Sequence, residues 1–259
     1  MPSLLDARVR HAALFLKVMD AANDHYLLGE NEAAEALLDF DHNQINIHVA
    51  QKWLEDIVPK ITDEEIQCEE IAHVIVDLCN AYPDAGIYLI NLRLGPNERI
   101  RWLQSALNAS QRIGNVTTTQ AHLGNLGLAF YELGRFPAAI EYLKQALELA
   151  EQIGDRYHQR AWLGNLGNIY AAIGEHKKAI EFHEQHLSIA LEIKDERSEG
   201  HALVNLGVSW AYLGYLEKAL ENYQRFLDLA VRRGDRWDES QALLNIGLAY
   251  FDMGNLEAA

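Results

Sequence analysis

The chain has 259 residues, 49% hydrophobic and 23% charged, a balance that suits a folded protein with a large core and excludes a disordered tail. Thirty-eight Asp and Glu against 22 Lys and Arg give a formal charge of −16, which repels phosphate backbones and anionic lipid, so neither nucleic acid nor a membrane surface is an expected partner. No apolar run approaches the roughly 18 residues of a membrane span, and Met1-Pro2-Ser3 leads into polar-interrupted sequence without a signal-peptide core, so a cytoplasmic setting is expected. Cys68 and Cys79 have no CxxC or metal-ligand pattern and read as reduced thiols.

Residues 1–61 form an N-terminal segment in which 5–57 carry two or three helices without internal echo. Residues 62–113 form a degenerate repeat. It opens on Thr62 with Glu65, a capping box in which side chain and backbone satisfy each other's first-turn groups. Pro83, in "NAYPDAG", lacks a donor and disfavours helix in the residue before it, so a broken or kinked helix is expected. Arg99 to Asn115 overlay residues forty further on, pairing Ile100 with Ile140, Trp102 with Tyr142, Ala106 with Ala146 and Leu107 with Leu147.

From Gly114 the repetition is clear and gapless, with a period of forty: 114–153, 154–193, 194–233 and a truncated 234–259. Each unit reads as two helices joined at Gly134, Gly174, Gly214 or Gly254, where glycine closes a helix in the left-handed conformation. Leu123, Leu163, Leu203 and Leu243 begin an apolar stripe. It continues at helical spacing through Leu126, Leu166, Leu206 and Ile246 to Phe130, Tyr170, Trp210 and Tyr250, and is expected as core. Gly127, Gly167, Gly207 and Gly247 sit mid-helix at a cost of about 1 kcal/mol against alanine. Close approach of another helix accounts for them, with Ala139, Ala179, Ala219 and Ala259 as the small partners.

Leu-x-x-Leu-Gly-x-x-aromatic followed by that alanine resembles the tetratricopeptide repeat over residues 114–259. The period is longer than the common form, and Glu151, Leu191 and Val231 stand where a proline usually ends the second helix. With the Ile153-Gly154-Asp155 and Arg233-Gly234-Asp235 linkers, this resembles the forty-residue repeats of kinesin light chains and LGN-type adaptors. Arg10-His11-Ala12, Glu35 to Asp41, Asn43 and Trp53-Leu54 resemble the helical segment preceding the repeat sensor of bacterial STAND signalling ATPases. The resemblance implies an all-α fold, an α-α superhelix after an irregular helical region; the truncated last repeat leaves an apolar face without its hairpin partner, so further repeats are expected downstream in a parent protein, with an ATPase module upstream. The phosphate loop of those ATPases is absent, and no nucleotide, cofactor or metal is expected.

Asn125, Asn165, Asn205 and Asn245 return every forty residues, about 150° around the helix from the apolar stripe. In a tetratricopeptide superhelix that face lines a concave groove, and an amide offers donors and an acceptor to a peptide backbone. The alternative is inheritance from one duplicated unit, the amide bonding a neighbouring helix. Against inheritance alone, Gly124, Gly164, Val204 and Leu244 have diverged in the adjacent row, as have Leu128, Asn168, Val208 and Leu248 in the next. With Tyr131, Tyr212 and Phe251 these complete an apolar, aromatic lining suited to an amphipathic protein or peptide segment. His183 and His186 replace Leu143 and Ala146, which makes them packing residues before metal ligands, and no histidine has a nucleophile in an identifiable motif, so no enzyme is expected. Three classes remain: the ligand-sensing arm of a STAND regulator, a free-standing adaptor, or a structural spacer supporting oligomer contacts through the parent protein.

Overall fold

The computed structural model describes residues 3–254; Ala259, expected on the second helix of the last repeat, lies outside them. Thirteen helices and no strand occur among the described residues. Contacts divide the chain into two compact units, one up to Arg135 and one from Phe136.

The N-terminal unit begins with α1 (Leu4–Tyr26), started by a Ser3–Asp6 capping box, and α2 (Glu30–Ile57), which folds back on it. A 3-10 turn (Val58–Lys60) and α3 (Asp63–Cys68) follow. The α3 start is the expected capping box: Thr62 N donates to Glu65 Oε2 at 2.6 Å and Glu65 N to Thr62 Oγ1 at 3.2 Å. Next come α4 (Glu70–Ala85), α5 (Ile87–Arg93), α6 (Pro96–Arg112) and α7 (Val116–Glu132). The break expected at Pro83 falls at Gly86 instead, because a proline in the last turn removes only one ladder bond and the helix closes two residues later. The core gathers Met19, Phe40, Ile47, Leu54, Tyr82, Leu89 and Trp102, all buried. Each such side chain stabilises by about 1.5–3 kcal/mol. The Tyr82 hydroxyl satisfies itself on the Ala12 carbonyl at 3.2 Å, tying α4 to α1. Cys79 is buried and Cys68 exposed, both free; burial pushes the Cys79 thiol up to about 11, so it stays protonated.

The second unit stacks α8 (Phe136–Ile153), α9 (Arg156–Ala172), α10 (His176–Glu192), α11 (Glu196–Tyr212), α12 (Leu216–Arg233) and α13 (Arg236–Asp252), each mainly against its neighbours in order. The "Gly-Asp" linkers have a local cause. Gly154, Lys194 and Gly234 adopt φ of +70°, +57° and +69°, and the next residue, Asp155, Asp195 or Asp235, accepts from the first-turn N–H groups of the following helix. Lys194 holds the left-handed conformation at a cost of about 1 kcal/mol that glycine avoids.

The apolar stripe is buried at Leu163, Leu166, Leu203 and Leu206, as expected. Leu243 departs from it, standing 53% exposed on α13, which has no following helix among the described residues. The partners of the mid-helix glycines also need correction. A Cβ on Gly167 would meet His183 Cε1 at 2.5 Å, and one on Gly207 would meet Tyr223 Cε1 at 2.3 Å. The nearest atoms to each glycine belong to a ring one turn beyond Ala179 or Ala219.

Candidate recognition groove

In α9, α11 and α13 the asparagines occupy the same register, ten residues into each helix, and Asn165, Asn205 and Asn245 are all half-buried. Asn205 Nδ2 donates to Asn168 Oδ1 at 3.0 Å, which links α11 to α9. Asn165, Asn168 and Asn205 share one cleft of about 390 Å³, walled by α9, α11 and α13.

The floor of that cleft is set by a small residue. At Gly164 a Cβ would lie 2.9 Å from His186 Nδ1, so glycine lets the imidazole of α10 pack against α9. His186 is 7% exposed, and its Nδ1 has no hydrogen-bond partner. Burial lowers its pKa to about 4, so the ring is neutral near pH 7. One wall is Arg160, whose guanidinium is bonded to Asp195 and to Ser198 Oγ. Burial raises the Asp195 carboxyl, but hydrogen bonds from Ser198 and the Arg160 charge outweigh it and hold the pKa below the ordinary value. Asp195 therefore both caps α11 and anchors α9 to it. Exposed Trp237, together with His201 and Gln241, forms the rim.

A second cleft, also about 390 Å³, holds Asn245 with Tyr212, Leu248 and Asp252. Tyr212 stacks on His176 at 4.5 Å with an 8° interplanar angle, which fixes an otherwise exposed ring. In the N-terminal unit, Asn125 and Leu128 line a small cavity of about 60 Å³ beside Trp102 and Arg99, and Arg99 is bonded to Asn91 and Glu132. Tyr131 and Phe251, 37% and 61% exposed, line none of these clefts.

The lining around Asn165 and Asn205 is more polar than the expected apolar and aromatic one: Arg160, His186, His201 and Gln241 join the amides there. Sequence reading missed them, although positions 160 and 186 carried a signal by departing from their repeat equivalents, Gln120 and Gly200 for Arg160, Ala146 and Phe226 for His186. Among the described residues no cluster of three His, Cys, Asp or Glu could hold a metal, and no helix is long and apolar enough to cross a membrane. His183 and His186 are both buried, and His183 is 1% exposed with both ring nitrogens unpartnered.

Repeated helical hairpins of fixed length, small residues where helices meet and amides on the opposite face define an all-α repeat scaffold. One tetratricopeptide repeat profile matches residues 100–152 and 117–192, and a second matches residues 240–259. No curated protein sequence matches it. BtubC (BKLC) from P. vanneervenii superposes with a TM-score of 0.62 at 16% identity, over all of this chain and 87% of that one. Kinesin-light-chain-like repeats from Podospora anserina give 0.53 at 18%, covering 77% and 93%. A STAND signal-transduction ATPase with a tetratricopeptide repeat sensor, from Pyrococcus horikoshii, gives 0.51 at 16%, covering 98% of this chain and 43% of that one. At such identities the likeness is one of fold, which does not fix function.

Proposed function

We propose that this chain is a non-enzymatic scaffold that captures a partner polypeptide, with α9, α11 and α13 forming the receiving face. Asn165 and Asn205 hold the partner's backbone, because a carboxamide accepts from an N–H and donates to a carbonyl whatever the side chains between them. Asn168 braces Asn205. Asn245, Tyr212 and Phe251 continue the contact along α11 and α13, and Asn125, Leu128 and Tyr131 are the corresponding positions of the preceding repeat. The observation that carries this reading is the cleft of about 390 Å³ in which three carboxamides converge, with Arg160, His201 and Gln241 beside them. Its polar lining leaves a hydrogen-bonding ligand better satisfied than a purely apolar one.

A ligand-sensing arm of a larger cytoplasmic regulator is preferred to a free-standing adaptor on the N-terminal residues that resemble the segment before a STAND repeat sensor, Arg10-His11-Ala12, Glu35 to Asp41, Asn43 and Trp53-Leu54. The test uses the chain as bait in a lysate of its source, comparing wild type with the Asn165→Ala/Asn205→Ala double variant by quantitative mass spectrometry. Selective loss of captured polypeptide by the variant, with unchanged helicity, is expected. Equal capture by both removes the amides from the recognition surface.

A further inference from the structure

A cleft of about 740 Å³ lies outside the regular repeats, between α1 and α2. Clefts that enclose organic ligands typically measure about 300–1,000 Å³. On α2 and the turn after it, Val49, Lys52, Trp53, Asp56, Ile57 and Lys60 recur at steps of three and four, which puts them along one face for roughly 17 Å. Ala7, Arg8 and His11 face them from α1. The apolar part is open: Val49 is 56% exposed, and Trp53 and Ile57 are only half-buried.

The charge of this cleft is opposite to that of the chain. Arg8, Lys52 and Lys60 converge here against a single lining carboxylate, Asp56, in a protein with 38 Asp and Glu to 22 Lys and Arg. Asp56 is already engaged: Lys52 Nζ donates to it at 2.6 Å, and that bond and the nearby Lys60 charge hold its carboxyl below the ordinary range. His48 is likewise turned to Glu98 at 3.2 Å. Arg8 and Lys60 form no ion pair with another described residue.

We propose that this cleft binds an amphipathic organic anion, a carboxylate or phosphate ester whose aromatic or aliphatic body lies on Val49, Trp53 and Ile57 while Arg8 and Lys60 receive the head group. The apolar body is needed because two solvent-exposed cations by themselves bind an anion weakly. The head group is needed because a neutral body would leave the cationic rim unmatched. The site is separate from the repeat groove, since every lining residue precedes residue 61.

The test is isothermal titration calorimetry of the full chain with four probes: 1-naphthaleneacetate, 1-naphthyl phosphate, inorganic phosphate and neutral 1-naphthaleneethanol. Saturable one-to-one binding is expected for at least one naphthyl anion, with the tighter of the two naming the head group. The neutral alcohol and inorganic phosphate should bind at least about tenfold more weakly. Arg8→Glu/Lys60→Glu, both surface changes whose folding is checked by circular dichroism, should cost about tenfold or more, and raising the salt from about 50 to about 300 mM should weaken binding further. Absence of naphthyl-anion binding below about 1 mM, equal binding of the neutral alcohol, or equal binding by the double variant overturns the proposal. None of these outcomes depends on Asn165 or Asn205.

Discussion

His183 stands where the preceding repeat has Leu143 and the following one has Tyr223, and it is the most conflicted residue of the second unit. Its ring fills the space left by Gly167, yet neither nitrogen finds a partner. Leaving a buried polar group unsatisfied costs about 1–3 kcal/mol. Burial, helped by the nearby His186, lowers the pKa of His183 from 6.5 to about 4. The unfolded chain therefore binds more protons than the folded one between those values. The resulting stability is complete above pH 6.5 and lost as pH falls towards 4, by an amount on the order of 3 kcal/mol. His183→Leu, which restores the side chain used at position 143, should raise the thermal midpoint at pH 7.5 and raise it more at pH 5. A variant no more stable than wild type at pH 5 contradicts this account. The repeat alignment places His183 in a packing row, but whether a polar partner reaches it depends on atoms of another helix, which no single-helix pattern contains.

For the helices, periodicity was a sound guide to existence and extent, and a poorer guide to which residues meet. The Asp155, Asp195 and Asp235 caps and the left-handed residue before each are local devices, visible as a recurring dipeptide because they involve neighbours in the chain. The close approach at Gly167 and Gly207 was also visible as recurrence. Its partner was not, because spacing along two helices leaves their mutual offset undetermined; the expected alanines lie one turn from the rings that make contact. Gly207→Ala discriminates between the two effects. Helix propensity alone predicts a gain of about 1 kcal/mol. Tyr223, 4% exposed and lying where the new methyl would stand, has no room to withdraw, so a net loss of about 2–3 kcal/mol is expected in urea unfolding. A neutral or stabilised variant would show that α12 shifts freely against α11.

Across the whole molecule, helices of the second unit touch chiefly the next in order, so stability there is a sum of nearest-neighbour terms. The damage from Gly207→Ala should therefore stay local. Amide hydrogen exchange should accelerate in α10 to α13 while α1 to α5 keep wild-type protection, and a uniform acceleration of every helix would contradict the nearest-neighbour picture. The same architecture separates what could be read from what could not. The all-α class, the forty-residue period, the turns and most of the buried stripe follow from the sequence by itself, because each depends on residues within one or two turns of one another. Tertiary structure alone decided that His186 packs against Gly164, and that Arg8 comes to face Lys60 across a cleft. The reason is geometric: such groups lie tens of residues apart in the chain, and the offset between packed helices, set by how side chains interlock, determines which of them share a surface.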